Sequence, residues 1–393
     1  MFIKVRKLAL MGVALMAVSS MTLSARAANY TPVNGTATSF DKYLIIDKEA
    51  NVPAASFSFT IAPGEAMAAS ENSMAVLAGI GTPVISGPAV FTPNDTAYEA
   101  LQEGDSLQLA DNEKYAFKKL DVDFSAISFT EPGIYRYVIT ETALQEAGAF
   151  VQDTQPKILD VYVSDHDGNL EVSSYVLHTS ADAPARNATG GSADVNENAA
   201  ALEDKVTGFI NRYQTKDLTI TKQVSGNQAS RDKYFKYTLR ITNAGPGTKL
   251  IADVTQNAEK APLANAATVY TQETMGEANN IAELVCDENG SAEHVFYLKH
   301  GQSITLKQLP LGAAYTLSEV NEDYVSKDLS QVDAQTYAAN TGAIGADNLT
   351  IGFQNTRDGV IPTGIITSIA PYLILVLLAG TGMIISGRKH MSR

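Results

Sequence analysis

Phe40-Asp41-Lys42-Tyr43-Leu44-Ile45-Ile46-Asp47 and Leu218-Thr219-Ile220-Thr221-Lys222-Gln223-Val224 each set a lysine in an alternating, strand-like run. Residues two apart on a strand share one side of its sheet. Lys42 therefore faces the same way as Phe40, Leu44 and Ile46, and Lys222 the same way as Leu218, Ile220 and Val224. The pattern continues downstream in both halves of the chain. Glu141 stands 99 residues after Lys42 and continues Tyr135, Tyr137 and Ile139; Glu319 stands 97 after Lys222 and continues Tyr315 and Leu317. Asn211 is in step with Phe209 and Tyr213, and Asn355 with Ile351 and Phe353. All six polar residues fall on the apolar side of a strand, in the same order in two units.

A buried, unpaired charge is costly enough that the group changes protonation or finds a partner. One lysine on an apolar face is ordinarily a strand-end residue that snorkels to water. Two repeated Lys-Glu-Asn sets call for a common chemical reason. Burial favours neutral forms, an amine that acts as a nucleophile and an acid that donates a proton. Such an acid polarises an asparagine carboxamide and shuttles protons while the amine attacks and ammonia leaves. The product is a Lys-Asn amide that ties the first strand of a unit to its last.

The sequence around these sets is strand-rich. SFSFTI (56–61), GIYRYVIT (133–140), ILDVYVSD (158–165), YFKYTLRIT (234–242) and AAYTLSEV (313–320) alternate and are separated by Gly, Pro, Asn and Asp clusters. This spacing predicts an all-β protein of tandem antiparallel sandwiches. The break near Tyr213 to Lys216 divides a first domain, 28–215, from a second, 216–358. The polar, small-residue segment 179–204 reads as a loop, and the long first unit carries an insertion at 66–100.

Composition excludes several functions. Among 393 residues there are 29 Lys plus Arg against 43 Asp plus Glu, an acidic balance opposite to that of nucleic-acid binders. The single Cys286 excludes an intrachain disulfide and a Cys-rich metal site, and with no neighbouring His it reads as a packing residue. His166, His178, His294, His300 and His390 form no metal-ligating pattern, and His294 and His300 read as exposed strand or turn positions. The DENGS segment at 287–291 has turn chemistry but not the acidic spacing of a calcium loop. No nucleotide or hydrolase motif occurs, so no metal, cofactor or conventional enzymatic activity is expected.

Both ends read as addresses. Residues 1–27 join Lys4, Arg6 and Lys7 to a short apolar run closing on Ala25-Arg26-Ala27, the parts of a secretory signal peptide, with cleavage between Ala27 and Ala28. Residues 365–387 are uncharged and long enough to span a bilayer, and 388–393 form a basic cytoplasmic tail. Between these termini the chain 28–363 has 22 basic and 43 acidic residues, a net charge of −21. Val360-Ile361-Pro362-Thr363-Gly364, directly before the apolar span, resembles the cell-wall sorting signal of Gram-positive surface proteins, although its first position departs from the usual leucine. The resemblance implies that a sortase cuts between Thr363 and Gly364 and transfers the threonine carbonyl to an amine.

With FDKYLIID, VPAASFSFTIAPG and GIYRYVITE in one unit, LTITKQVSGN and YTLSEV in the other, and the closings GFIN and FQN, the chain resembles Gram-positive major pilins of the streptococcal type. That family is built from immunoglobulin-like domains of the CnaB type with intramolecular isopeptide bonds. The resemblance implies one bond between Lys42 and Asn211 with Glu141 as catalyst, and another between Lys222 and Asn355 with Glu319. It implies a pilus shaft subunit whose partners are sortase, further copies of itself, peptidoglycan, tip or basal pilins and a surface ligand on a host. A wall-anchored adhesin or ancillary pilin that is never polymerised is the competing reading. Joining subunits needs one more lysine, exposed and near the domain boundary. Lys205, six residues before Asn211, is similarly placed to the linking lysine of related pilins, with Lys157, Lys48 and Lys216 as alternatives.

Overall fold

The computed structural model describes residues 37–70, 74–144, 148–179, 204–261, 263 and 281–359. The expected signal peptide 1–27, the expected sorting motif 360–364, the apolar stretch 365–387 and the basic residues 388–393 lie outside the described residues, as does most of the segment 179–204. No helix among the described residues is long and apolar enough to cross a membrane.

Among the described residues the first unit contains twelve strands, in chain order β1 (Ala37–Asp47), β2 (Ala55–Phe57), β3 (Phe59–Pro63), β4 (Leu77–Ala78), β5 (Val84–Ile85) and β6 (Ala89–Phe91), then β7 (Glu113–Asp123), β8 (Gly133–Glu141), β9 (Phe150–Val151), β10 (Lys157–His166), β11 (Asn169–His178) and β12 (Gly208–Tyr213). One sheet has the order β5-β7-β1-β12-β9; the facing sheet has β11-β10-β8-β3, with β4 beside β8. Strands β2 and β6 form a separate pair.

The second unit continues with β13 (Thr215–Ser225), β14 (Phe235–Thr242), β15 (Lys249–Gln256), β16 (Glu259–Lys260), β17 (Ile281–Val285) and β18 (Ala292–Leu298), then β19 (Gln302–Pro310), β20 (Ala314–Glu319), β21 (Val325–Asp328), β22 (Thr341–Ala343) and β23 (Leu349–Thr356). Its sheets run β16-β15-β19-β13-β23-β21, with β17 beside β15, and β18-β14-β20-β22. One 3-10 turn, Leu329–Gln331, is capped by the Asp328 carboxylate, which accepts from the Ser330 N–H.

The chain is thus an all-β protein of two sandwiches. Alternation builds them directly. Along β13, Leu218, Ile220, Lys222 and Val224 are the buried positions, and along β14 Phe235, Tyr237, Leu239 and Ile241. In the first core Phe40, Phe59 and Phe209 meet edge-on or tilted at 5.1–5.7 Å between centroids. Burying such a ring contributes about 2–3 kcal/mol.

Strand β1 departs from simple alternation, because both of its faces are buried. Tyr43 and Ile45, opposite Lys42, pack with Leu107 and Tyr115 in a small second core. Tyr98 bridges to Tyr115 and packs against that core. The insertion at 66–100 pairs through β4 with β8, through β5 with β7 and through β6 with β2, each a strand outside the insertion.

Gln214 alone separates β12 from β13. Its N–H donates to the Ala149 carbonyl and its carbonyl accepts from Leu311, whose side chain packs on the first core. Across this junction Asn51 donates to the Lys249 carbonyl (3.3 Å), and Lys307 reaches Glu49 (3.6 Å) as well as Asp253 (3.2 Å).

Candidate functional site

Strands β1 and β12, the first and last of the first unit, lie side by side and parallel, with Lys42 opposite Phe209 and Leu44 opposite Asn211. In the second unit β13 and β23 are likewise parallel, with Lys222 opposite Phe353 and Val224 opposite Asn355. The two units therefore repeat one register, in which a lysine pairs with a phenylalanine and the asparagine follows two residues on. Gly208 makes the first pairing possible, since a Cβ there would stand 1.6 Å from the Asp41 carbonyl oxygen. Each glutamate comes from the opposing sheet, at the end of β8 or β20, opposite Phe59 or Tyr237 respectively.

At the first site, Lys42 is 0% exposed and its Nζ lies 2.6 Å from Glu141 Oε2. Asn211 Nδ2 donates to the other carboxylate oxygen, Oε1, also at 2.6 Å. Gln152 Nε2 donates to the same Oε1 at 3.1 Å. The Asn211 Oδ1 accepts the backbone N–H of Asp153 at 2.7 Å. Phe57 covers the amine, with Nζ 4.8 Å from the ring centroid. Burial pushes the Lys42 ammonium down to about 8, against the pull of Glu141.

At the second site Lys222, 1% exposed, contacts Glu319 Oε1 and lies 4.3 Å from the Phe235 ring centroid. Asn355 Nδ2 donates to that same Oε1 at 3.1 Å. Two further hydroxyls donate to the carboxylate, Tyr237 to Oε1 and Ser326 to Oε2, each at 2.7 Å. The Asn355 Oδ1 is buried and has no hydrogen-bond partner among the described residues. Burial again pushes the lysine down to about 8, opposed by Glu319.

Each carboxylate thus touches both the amine that would attack and the carboxamide nitrogen that would leave. Each site lies in a core. The structure brings together all six residues singled out in the sequence, and adds Gln152, Asp153, Tyr237 and Ser326. Tyr237 carried a signal, sharing a face with Phe235 and Leu239 in YFKYTLRIT. Gln152 and Asp153 carried none, because they lie between strands.

The remaining lysines separate. Lys157 is buried and ion-paired with Asp153 at 3.0 Å, beside the first site. Lys48 directly follows β1 and Lys216 lies at the start of β13, both at the junction. Lys205 is half-buried rather than exposed and bridges to His178. Nor does it lie near the domain boundary, as its sequence position suggested. Strand β12 carries the chain about 20 Å from that end of the sandwich to the junction.

Other polar groups have structural partners. Arg136 holds Asp160 through two hydrogen bonds of 2.8 Å, and His178 Nε2 lies 2.9 Å from the same carboxylate. Burial opposes the Asp160 charge, but these partners outweigh it and hold the carboxyl below its ordinary range. Cys286 is buried in the second core, where burial and then Asp287 push its thiol up to about 11. His294 and His300 are half-buried rather than exposed; His294 stacks on Phe296, and His300 Nδ1 accepts from the Val224 N–H. No group of three or more His, Cys, Asp or Glu able to hold a metal occurs among the described residues.

The fold and its paired sites define a class: tandem immunoglobulin-like sandwiches, each with a Lys-Glu-Asn set buried between its sheets. Residues 41–214 match the family described as a Spy0128-like isopeptide containing domain, and residues 216–357 match one described as a domain of unknown function, DUF7601. The chain is 25% identical over 400 residues to a pilin of Streptococcus pyogenes serotype M1, covering 98% of this chain and 99% of that protein. The crystal structure of the major pilin from Streptococcus pyogenes aligns with 83% of this chain and 100% of its own, at 20% identity and a TM-score of 0.54. The major pilin protein T3.2 of the same species aligns with 84% and 99%, at 19% identity and a TM-score of 0.53. The structural matches establish the shared fold, and the sequence similarity to a pilin extends over nearly the whole chain.

Proposed function

We propose that the chain is a shaft subunit of a sortase-assembled pilus on the surface of a Gram-positive bacterium, with an autocatalytic Lys-Asn cross-link in each of its domains, 28–215 and 216–358. The observation that carries the chemistry is the single Glu141 carboxylate touching Lys42 Nζ with one oxygen and Asn211 Nδ2 with the other. A proton moves from the Lys42 ammonium to Glu141. The neutral amine then attacks Asn211 Cγ, and Glu141 relays a proton to Nδ2 so that ammonia departs as the carbonyl re-forms. Lys222, Glu319 and Asn355 carry out the same exchange. Each reaction happens once, so the protein is a structural subunit rather than an enzyme.

Strand polarity supports head-to-tail assembly. Strands β1 and β12 run toward the junction, and β13 and β23 run away from it. Lys205, three residues before β12, and Gly359, three after β23, therefore stand at opposite ends of the molecule. In this reading signal peptidase cuts between Ala27 and Ala28, the 365–387 segment holds the subunit transiently in the membrane, and sortase cleaves Val360-Ile361-Pro362-Thr363-Gly364. Thr363 is then passed to Lys205 of the next subunit, or finally to peptidoglycan. The test of the internal chemistry is the intact mass of the chain 28–363. It should fall two ammonia molecules below the mass of its sequence, and an unaltered mass would remove the cross-link assignment.

A further inference from the structure

The two sites differ at the carboxamide oxygen. Asn211 Oδ1 receives the Asp153 N–H at 2.7 Å, whereas Asn355 Oδ1 is buried without a partner among the described residues. Asp153 is held from several directions. Its Oδ2 accepts from the Ile210 N–H (3.2 Å), next to Asn211 on β12, and its Oδ1 accepts from the Gln155 N–H (3.3 Å). The Lys157 ammonium lies 3.0 Å from one carboxylate oxygen and 3.1 Å from the other. Lys157 is itself fixed, 5% exposed on β10 opposite Ile139, with Nζ 5.4 Å from the Phe209 ring centroid. The preceding residue, Gln152, donates to Glu141. A single short segment thus contacts both the carboxamide and the acid.

Resting on the cross-linking reading above, we infer that the Asp153 backbone amide is the oxyanion donor of the first site, that Lys157 is its positioning residue, and that the Lys42-Asn211 bond consequently forms before the Lys222-Asn355 bond. When Lys42 Nζ attacks Asn211 Cγ, the carbonyl π electrons move onto Oδ1. The Asp153 N–H already points at that atom and needs no reorganisation to hold the developing charge. The Cγ–Nδ2 bond then breaks, Nδ2 leaves as ammonia with the proton relayed by Glu141, and the Oδ1 pair closes the new amide. Atoms balance as one amine plus one carboxamide giving one amide plus ammonia. The second site spends its extra donors, Tyr237 and Ser326, on the carboxylate of Glu319 instead.

The experiment is a time course of the full chain made by cell-free translation, quenched in denaturant and digested, with both cross-linked peptides quantified. In the unaltered chain the Lys42-Asn211 peptide should rise first; simultaneous or reversed appearance overturns the ordering. An ester in place of the Gln152–Asp153 amide, introduced by nonsense suppression with the α-hydroxy analogue of aspartate, removes the N–H and keeps the side chain. It should slow the first bond by about 10²- to 10³-fold, the usual loss for one oxyanion donor, and leave the second unchanged. Lys157→Met should slow the first bond by roughly tenfold, and Lys157→Arg should restore it. An unchanged rate in the ester or in Lys157→Met overturns the inference, and equal loss in Lys157→Met and Lys157→Arg reduces Lys157 to a packing role. Absence of the Lys42-Asn211 peptide from the unaltered chain strikes instead at the cross-linking reading itself.

Discussion

Lys42 Nζ donates to Glu141 Oε2 across 2.6 Å, and the protons held by this pair set how the reaction responds to pH. The reactive form, neutral amine beside protonated acid, contains the same number of protons as the resting ion pair. Its population is therefore independent of pH while the pair keeps its proton. Burial lowers the lysine to about 8, so above that value the proton leaves and the acid needed to expel ammonia is lost. The rate of Lys42-Asn211 formation should be flat from near neutrality to pH 8 and then fall by roughly tenfold per pH unit. A rate that rises through pH 9, followed by mass spectrometry, would show that free amine alone limits the reaction. Glu141→Ala should return the mass of one ammonia and leave the other bond formed, whereas Glu319→Ala should do the same for the second unit. An unchanged mass in either variant would reassign the catalyst. These residues were legible because strict alternation put charges on apolar faces. Gln152 and Asp153 were not, since position in a connecting segment is set by tertiary contact and not by period.

Strand pairing is what turns sequence order into chemistry. The parallel β1–β12 register puts Asn211 two residues beyond the partner of Lys42, and Gly208 permits the approach of the two backbones. Gly208→Ala should push β12 off Asp41 and abolish the Lys42-Asn211 cross-link while the Lys222-Asn355 bond still forms; retention of both ammonia losses would refute this. On the outer side of the facing sheet, β8 and β10 are joined by Arg136 and Asp160, with His178 of β11 completing the cluster. Asp160→Ala leaves a buried guanidinium without its counter-ion and should destabilise the first unit by about 3–5 kcal/mol in a chain that also carries Asn211→Ala, measured by denaturant unfolding. A loss below 1 kcal/mol would mean that water reaches Arg136. The sign of the linkage follows from the depressed Asp160 pKa. Its contribution is complete above the ordinary aspartate range and is lost as the pH falls through the lower folded value. The strands themselves were readable from β-branched and aromatic alternation. Burial of both faces of β1 was not, because Tyr43 and Ile45 are covered by Tyr98 and Leu107, far along the chain.

At the scale of the molecule, the first and last strands of each unit share a direction, and one residue joins the units. This gives the chain a direction, with Lys205 near the starts of β1 and β12 and Gly359 just beyond the end of β23. Sequence distance misleads here, since Lys205 is ten residues from Thr215 yet separated from the junction by the length of β12. In the proposed polymer, the net charge of −21 on residues 28–363 would make free subunits repel at long range, which favours a covalent joining step. A linking lysine must also leave the folded core intact when its amine is acylated. Lys42 and Lys222 are enclosed, Lys157 is buried in an ion pair, and Lys48 and Lys216 stand at the junction, where an incoming chain end would meet the second unit. Lys205 alone among these candidates lies at the end opposite Gly359, in a bridge between β11 and the entry to β12. When the full chain is expressed with its sortase in a Gram-positive host, wall extracts should show a ladder of covalent oligomers joined Thr363 to Lys205. Lys205→Ala should collapse the ladder to wall-linked monomer with both internal cross-links intact, while Lys48→Ala and Lys216→Ala leave it unchanged. A ladder that persists in Lys205→Ala would place the acceptor on another lysine, and a single band from the unaltered chain would favour the wall-anchored, unpolymerised adhesin.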